Sequence, residues 1–235
     1  MNIVDMVMIG IIALSVLWGF YRGFIQSVLS MGACLLSFLA SFWAYPYLAG
    51  IIQGDQSLVM NLIHYTDASS RIGNLELAMT NVGQLTQEKI AVIIGNVSLP
   101  QPLSDILGYN LENGVFQALG VHSVSDYVNQ TIMTVSVNIL SFLICFAALY
   151  VILSLLLNVL RAVFHFPLLK QFDWLAGGAF GALRGVIFCY AAFVIVPLAL
   201  TVMPVEGLET LIAESALAGL FNNGNLILAI MNRRL

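Results

Sequence analysis

Two arginines stand beside glycines spaced four apart, in a chain that uses charge sparingly. Gly19-Phe20-Tyr21-Arg22-Gly23 is the first phrase and Gly181-Ala182-Leu183-Arg184-Gly185 the second. A cation within apolar sequence is costly, so such positions face protein, water or an interface. Arg184 lies about ten residues inside its apolar stretch and carries two readings. It snorkels to the cytoplasmic interface on its long stem, or it pairs inside a helix bundle and helps to line a polar pathway. Asp173, eleven positions earlier, is about 16 Å away along a continuous helix, too far to pair with Arg184. A meeting of Asp173 with Arg22 is the alternative. A third set is Tyr150, Ser154, Asn158, Arg161 and His165, spaced four, four, three and four. That spacing is one helical face, able to bond across helices or to line a path for water or solute. Thr134, Asn138, Ser141 and Cys145 make a milder stripe of the same kind.

Catalytic chemistry has little support. His122, Ser123, Ser125 and Asp126 are hydrolase residue types, but adjacency in sequence is not triad geometry, and helix capping accounts for the serine and aspartate. Asp5, at the start of an apolar run, reads as a helix N-terminal charge. The three histidines are far apart, and no metal-ligand spacing such as His-Glu-x-x-His occurs. Cys34, Cys145 and Cys189 each fall in an apolar run and read as small hydrophobes. Neither a cofactor nor a metal site is expected. Gly177, Gly181 and Gly185 form a stripe that allows close approach of a second backbone, and Gly19 with Gly23 gives a shorter version. No phosphate cradle is implied, because the P-loop spacing is missing.

The elements that must hold these residues are membrane helices. Of 235 residues, 60% are hydrophobic and 9% charged, against about 25% charged in soluble domains. The lipid bilayer is the natural solvent. A net charge of −4 argues against nucleic acid as a partner. Four stretches are long enough, or nearly so, to span: 6–21 extended by Ile3 and Val4, about 24–45 ended by Pro46, 127–160, and 174–203 ending near Pro204. The third is longer than a bilayer needs, and Ser123-Val124-Ser125-Asp126 marks its start as a capping box. The N-terminus lacks the basic region and the cleavage site of a secretory signal, and reads as a retained helix.

The expected fold is all-α: a polytopic membrane protein with about four transmembrane helices in two hairpins, plus amphipathic interfacial helices. The parts are 1–45, the first hairpin; 46–126, an extracytoplasmic segment; 127–205, the second hairpin; and 206–235, a C-terminal amphipathic segment. Segment 46–126 holds seven acidic residues against Arg71 and Lys89. It predicts short amphipathic helices on the bilayer surface, with turns at Gly95-Asn96, Pro100-Gln101-Pro102 and Asn113-Gly114. Segment 206–235 predicts one amphipathic helix, a turn at Asn222-Asn223-Gly224, and an apolar end with Arg233 and Arg234. Arg22, Arg161 and Lys170 in short connections put those connections in the cytoplasm and the acidic segment and termini outside.

Asp5, the apolar run after it and Gly19-Phe20-Tyr21-Arg22-Gly23-Phe24 resemble the N-terminal signature of the colicin V production family. Phe166-Pro167, then Phe172-Asp173-Trp174-Leu175 and Gly177 through Gly185 resemble its second signature, with Trp174 where a basic residue is usual. The resemblance implies a bacterial inner-membrane protein of about four spans, tied to production or export of the toxin colicin V and to envelope physiology. It supplies no catalytic residues. The leading expectation is therefore a non-enzymatic membrane protein that supports secretion or envelope homeostasis, with a homo-oligomer and secretion or envelope proteins as its partners. The alternative is a channel or transporter subunit that conducts a small solute or ion through an oligomer.

Overall fold

The computed structural model describes residues 2–55, 71–100, 103–163, 173–202 and 207–222. Within them the chain is all-helical. Helix α1 is Ile3–Arg22 and α2 is Phe24–Gly54; α3 is Leu75–Met79, α4 Gln87–Val97 and α5 Leu103–Asn113; α6 is Val124–Val163 and α7 Asp173–Phe193; α8 is Val196–Val202, α9 Leu208–Ala213 and α10 Ala218–Asn222. Four segments are long and apolar enough to cross a membrane: Ile3–Arg22, Phe24–Gly54, Val124–Val159 and Trp174–Thr201, with mean hydropathies of 2.3, 1.7, 2.7 and 2.2. Their outer faces keep large apolar side chains exposed, among them Leu14, Leu36, Trp43, Leu155 and Val159. A sheath of that kind suits lipid rather than water.

Local chemistry sets the helix ends. Asn2 caps α1 and forms a reciprocal box with Asp5: the Asn2 side chain accepts from the first turn, and Asn2 N donates to Asp5 Oδ2 at 3.1 Å. Gly23 joins α1 to α2 as a one-residue link at φ 77°, ψ 176°, a conformation open to glycine alone. Asp126 N donates to Ser123 Oγ at 3.1 Å, and Ser123 Oγ donates to Asp126 Oδ2 at 2.6 Å, so the expected cap of the third span is present. At 40 residues and about 1.5 Å each, α6 is roughly 60 Å long, about twice the hydrocarbon thickness.

Several expected boundaries move. Helix α2 does not stop at Pro46 but continues to Gly54. Proline removes one backbone donor, a loss that membrane helices tolerate, and burial of Tyr45 and Ala49 on either side holds the chain helical. The fourth span is two helices. Pro197 cannot bond back to Phe193 and its ring crowds that carbonyl, so α7 ends at Phe193 and α8 begins at Val196. Gly95-Asn96 is no turn; both lie inside α4, which ends at Ser98 in the left-handed region. The apolar face formed by buried Ile90, Ile93 and Val97 carries the helix past the glycine. The Asn113-Gly114 turn is present, with Gly114 at φ +59°. Pro100 is described, whereas Gln101 and Pro102 lie outside the described residues.

The chain divides into two compact units. One comprises residues 1–48, 140–194 and 206–225. It holds α1, most of α2, the second half of α6, α7, α9 and α10. Phe38, Phe42, Phe142 and Phe146 form its aromatic core, with Phe38 edge-on to the other three at 5.4, 5.7 and 6.0 Å. The other comprises the described residues of 49–139 and 195–205. In it, α4 and α5 turn their apolar faces inward, burying Ile93, Leu103 and Leu107 together with Val124, Tyr127 and Val128 of α6. The expected short amphipathic helices therefore bury these faces in a protein core. Backbone bonds from Val82 N to His122 O and from Val124 N to Thr80 O, and the Asn110 Nδ2 bond to Thr131 Oγ1 at 3.1 Å, tie the unit together.

In the first unit the C-terminal segment is two short helices rather than one. Asp5 is the reason. Its Oδ1 accepts from Ser215 Oγ at 2.6 Å and from Leu217 N at 3.1 Å, fixing a turn between α9 and α10. Ser215 Oγ in turn accepts from Ala218 N, capping α10, and Asn2 Nδ2 donates to Leu211 O. Asn222 ends α10; the rest of the turn expected there, Asn223-Gly224, and the two terminal arginines lie outside the described residues.

Candidate functional site

The two glycine-arginine phrases meet. Helix α1 lies along α7, and their backbones touch where both carry small residues. A Cβ on Gly19 would stand 2.2 Å from Gly177 O, one on Gly177 2.5 Å from Gly19 O, and one on Gly181 2.4 Å from Ser15 O. On Gly185 it would stand 2.9 Å from Ile12 Cα, and on Gly177 2.9 Å from the Gly23 carbonyl carbon. All five glycines singled out from the sequence thus belong to one interhelical contact. Van der Waals packing and interhelical hydrogen bonds are what hold helices together in lipid, and both need this proximity.

Arg184 is set into that contact. It is 5% exposed, so it does not snorkel; the reading in which it bonds inside the bundle is the one realised. Its partners are neutral. Nε donates to Ser15 Oγ at 3.0 Å, Nη2 to Ser15 O at 3.2 Å, and Nη1 to Ser30 Oγ at 2.7 Å. Ser15 Oγ passes its own proton to Gly181 O at 2.6 Å. Ser30 Oγ lies 3.4 Å from the Tyr150 hydroxyl. One guanidinium therefore links α1, α2 and α7, and through Ser30 reaches α6. The close glycine packing removes water from the side chain, and the serines replace three of its hydration bonds. No carboxylate pairs with it among the described residues.

Arg22 ends α1 and stacks on Trp18, with its guanidinium carbon 4.7 Å from the ring centre, a cation–π contact between residues four apart. It also borders a cleft whose polar lining is Arg22, Gln26, Ser30, Ser154 and Asn158. Three members of the polar stripe on the third span, Tyr150, Ser154 and Asn158, thus face the Ser30–Arg184 centre or this cleft. Arg161 lies in the last turn of α6 and Asp173 opens α7; their side chains, like His165 and Lys170, lie outside the described residues. Thr134, Asn138 and Ser141 of the milder stripe are buried. The three cysteines are free thiols. Among the described residues, no group of three or more His, Cys, Asp or Glu is placed to hold a metal ion.

The serines were missed by a reading that followed charge and glycine. Two signals pointed to them. Ser15, Gly19 and Gly23 continue a four-residue spacing that mirrors Gly177, Gly181 and Gly185. On α2, Ser27, Ser30, Cys34, Ser37 and Ser41 repeat at three and four, and all are buried, a small-residue seam in heptad register.

A bundle of apolar spans sealed by glycine contacts around a hydrogen-bonded arginine defines the class: a polytopic α-helical membrane protein. The chain belongs to the family described as colicin V production protein, whose model matches residues 4–97 and 114–225. It is similar to a colicin V production protein homolog of Haemophilus influenzae, 40% identical over 55 residues. That match covers 23% of this chain and 34% of the relative, so the chain is matched over about a third of the relative's length. No solved structure matches the chain.

Proposed function

We propose that this protein is a non-enzymatic component of the bacterial inner membrane that supports production or export of colicin V, and with it the condition of the cell envelope. One observation carries the reading: the residues that bear the family resemblance are those that build the α1–α7 contact. Gly19, Gly177, Gly181 and Gly185 act there as packing surface, and Arg184 as a cross-link between serines. Those are constructional roles, and they favour a scaffold over a reaction centre. On this reading Arg22 sits on the cytoplasmic side, and the protein works as a homo-oligomer or with secretion or envelope proteins. The test is a toxin-producing strain lacking the gene, complemented with wild type, Gly181→Ala or Ser15→Ala. Secreted toxin and growth under envelope stress should fall together for variants that loosen the contact. Undiminished secretion in the deletion strain, or turnover of a lipid or peptide by the purified protein, would overturn the reading.

A second reading is a channel or transporter subunit, favoured by the polar cleft that Arg22, Ser154 and Asn158 border. Solute flux into proteoliposomes should then fall with Arg184→Ala and Asn158→Leu; flux indifferent to both would count against it.

A further inference from the structure

The cleft beside Arg22 has a composition that the packing role does not use. Among the described residues its lining holds one arginine, the amides of Gln26 and Asn158, the hydroxyls of Ser30 and Ser154, and two leucines, and no carboxylate. Arg22, Gln26 and Ser154 are half-buried, Asn158 is exposed at the rim, and Ser30 is buried at the inner wall. Immediately behind Ser30 stands Arg184, whose Nη1 donates to Ser30 Oγ at 2.7 Å. An oxygen that accepts from an arginine presents its own proton elsewhere. Tyr150 Oη, at 3.4 Å, is at the far limit of a hydrogen bond.

Among the described residues no opposite charge meets Arg184. A guanidinium has five N–H donors. Three of those of Arg184 end on neutral oxygens, and none ends on a carboxylate, among the described residues. A buried cation in a membrane bundle is expected to be compensated by an opposite charge. The cleft lies on the other side of Ser30 from Arg184, and its described lining carries N–H and O–H donors.

We propose that this cleft binds one small inorganic anion of about halide size. Arg22 would hold it at the mouth, and the Asn158 amide and Ser30 hydroxyl would donate to it. Arg184, one hydrogen bond deeper, would stabilise it through the field in a low-dielectric setting. Size selects the class. The space open to a water-sized sphere is about 10 Å³, at the lower limit for a single water molecule. A halide is somewhat larger than water and enters by a small outward shift of the exposed Asn158 side chain, whereas a phosphodiester would require the helices themselves to part. The proposal depends on neither functional reading above.

Trp18, beneath Arg22, supplies a reporter. The chain has three tryptophans, so Trp43→Phe with Trp174→Phe leaves Trp18 alone. The full chain in phosphatidylcholine nanodiscs is titrated with iodide at constant ionic strength, with gluconate as the balancing anion. Quenching of Trp18 should include a saturable component that chloride displaces and gluconate does not. Asn158→Leu, at an exposed position that leaves the Arg22–Trp18 stack intact, should weaken that component about tenfold; Ser30→Ala should weaken it too. Quenching that is linear in iodide and indifferent to chloride overturns the proposal, as does an unchanged response in Asn158→Leu. Loss of the chloride-sensitive component when phosphatidylglycerol is added to the nanodiscs would assign the cleft to a lipid phosphate and would also overturn it.

Discussion

Replacing Gly181 by alanine tests the contact on which the bundle is built. The new Cβ would stand 2.4 Å from Ser15 O and 3.1 Å from Val16 Cα. Ordinary contact begins near 3.4 Å, so the methyl needs 3.4 − 2.4 = 1.0 Å of extra room. The obstacle is backbone, which cannot rotate aside as a side chain does, so helix α7 must retreat. A retreat of that size would lengthen the 2.6 Å bond from Ser15 Oγ to Gly181 O to as much as about 3.6 Å, beyond hydrogen-bond range. Overpacking of this kind costs about 1–3 kcal/mol, and a lost interhelical bond about 0.6 kcal/mol more. Alanine's better helix propensity returns up to about 1 kcal/mol. The net is a loss of about 1–3 kcal/mol, a factor of about 5–150 in the folded-to-unfolded ratio. Gly10→Ala is the matched control, since a Cβ there meets nothing within 4 Å. Reversible unfolding in mixed micelles of dodecyl maltoside and dodecyl sulfate gives both values on one scale. If Gly181→Ala proves as stable as Gly10→Ala, the α1–α7 approach is not made as described, and the argument from the glycines fails.

Arg184→Met and Ser15→Ala should behave in opposite ways. The first removes a buried cation and leaves Ser15 bonded to Gly181 O, so stability in the same unfolding assay should change by less than about 1 kcal/mol, or rise. The second strands a guanidinium donor and should cost about 1–3 kcal/mol. Asp5→Ala removes the acceptor for Ser215 Oγ, Leu217 N and Asn2 N, so limited proteolysis should cut first near 214–217, with the spans left intact. Phe38→Ala withdraws the ring that stands edge-on to Phe42, Phe142 and Phe146 and should lower stability by about 3 kcal/mol or more, read as an earlier loss of monodisperse protein on heating in detergent. Gly23→Ala forces a side chain into φ 77°, ψ 176° and should cost about 1–3 kcal/mol, measured in the mixed-micelle assay.

Much of this protein is written in its sequence. Hydropathy alone defines four spans, because a bilayer accepts a backbone only where its polar groups bond within the segment and its side chains are apolar. Ser123 and Asp126 mark the start of α6, because a cap is a bond between residues three apart. Spacing of four likewise put the five glycines on helix faces suited to close packing. Each of these depends on neighbours in the chain. What lay beyond the sequence depends on residues that are distant along it. Pro46 reads as a stop until Tyr45 and Ala49 are buried around it. Asp5 reads as a helix-end charge until Ser215 and Leu217, more than two hundred residues away, are found on its carboxylate. Arg184 admits two fates by sequence, interface or interior. The choice fell to Ser15 and Ser30, hydroxyls that carry no charge and leave no mark in hydropathy, and that matter only because glycine lets α1 and α7 approach closely enough for them to reach the guanidinium.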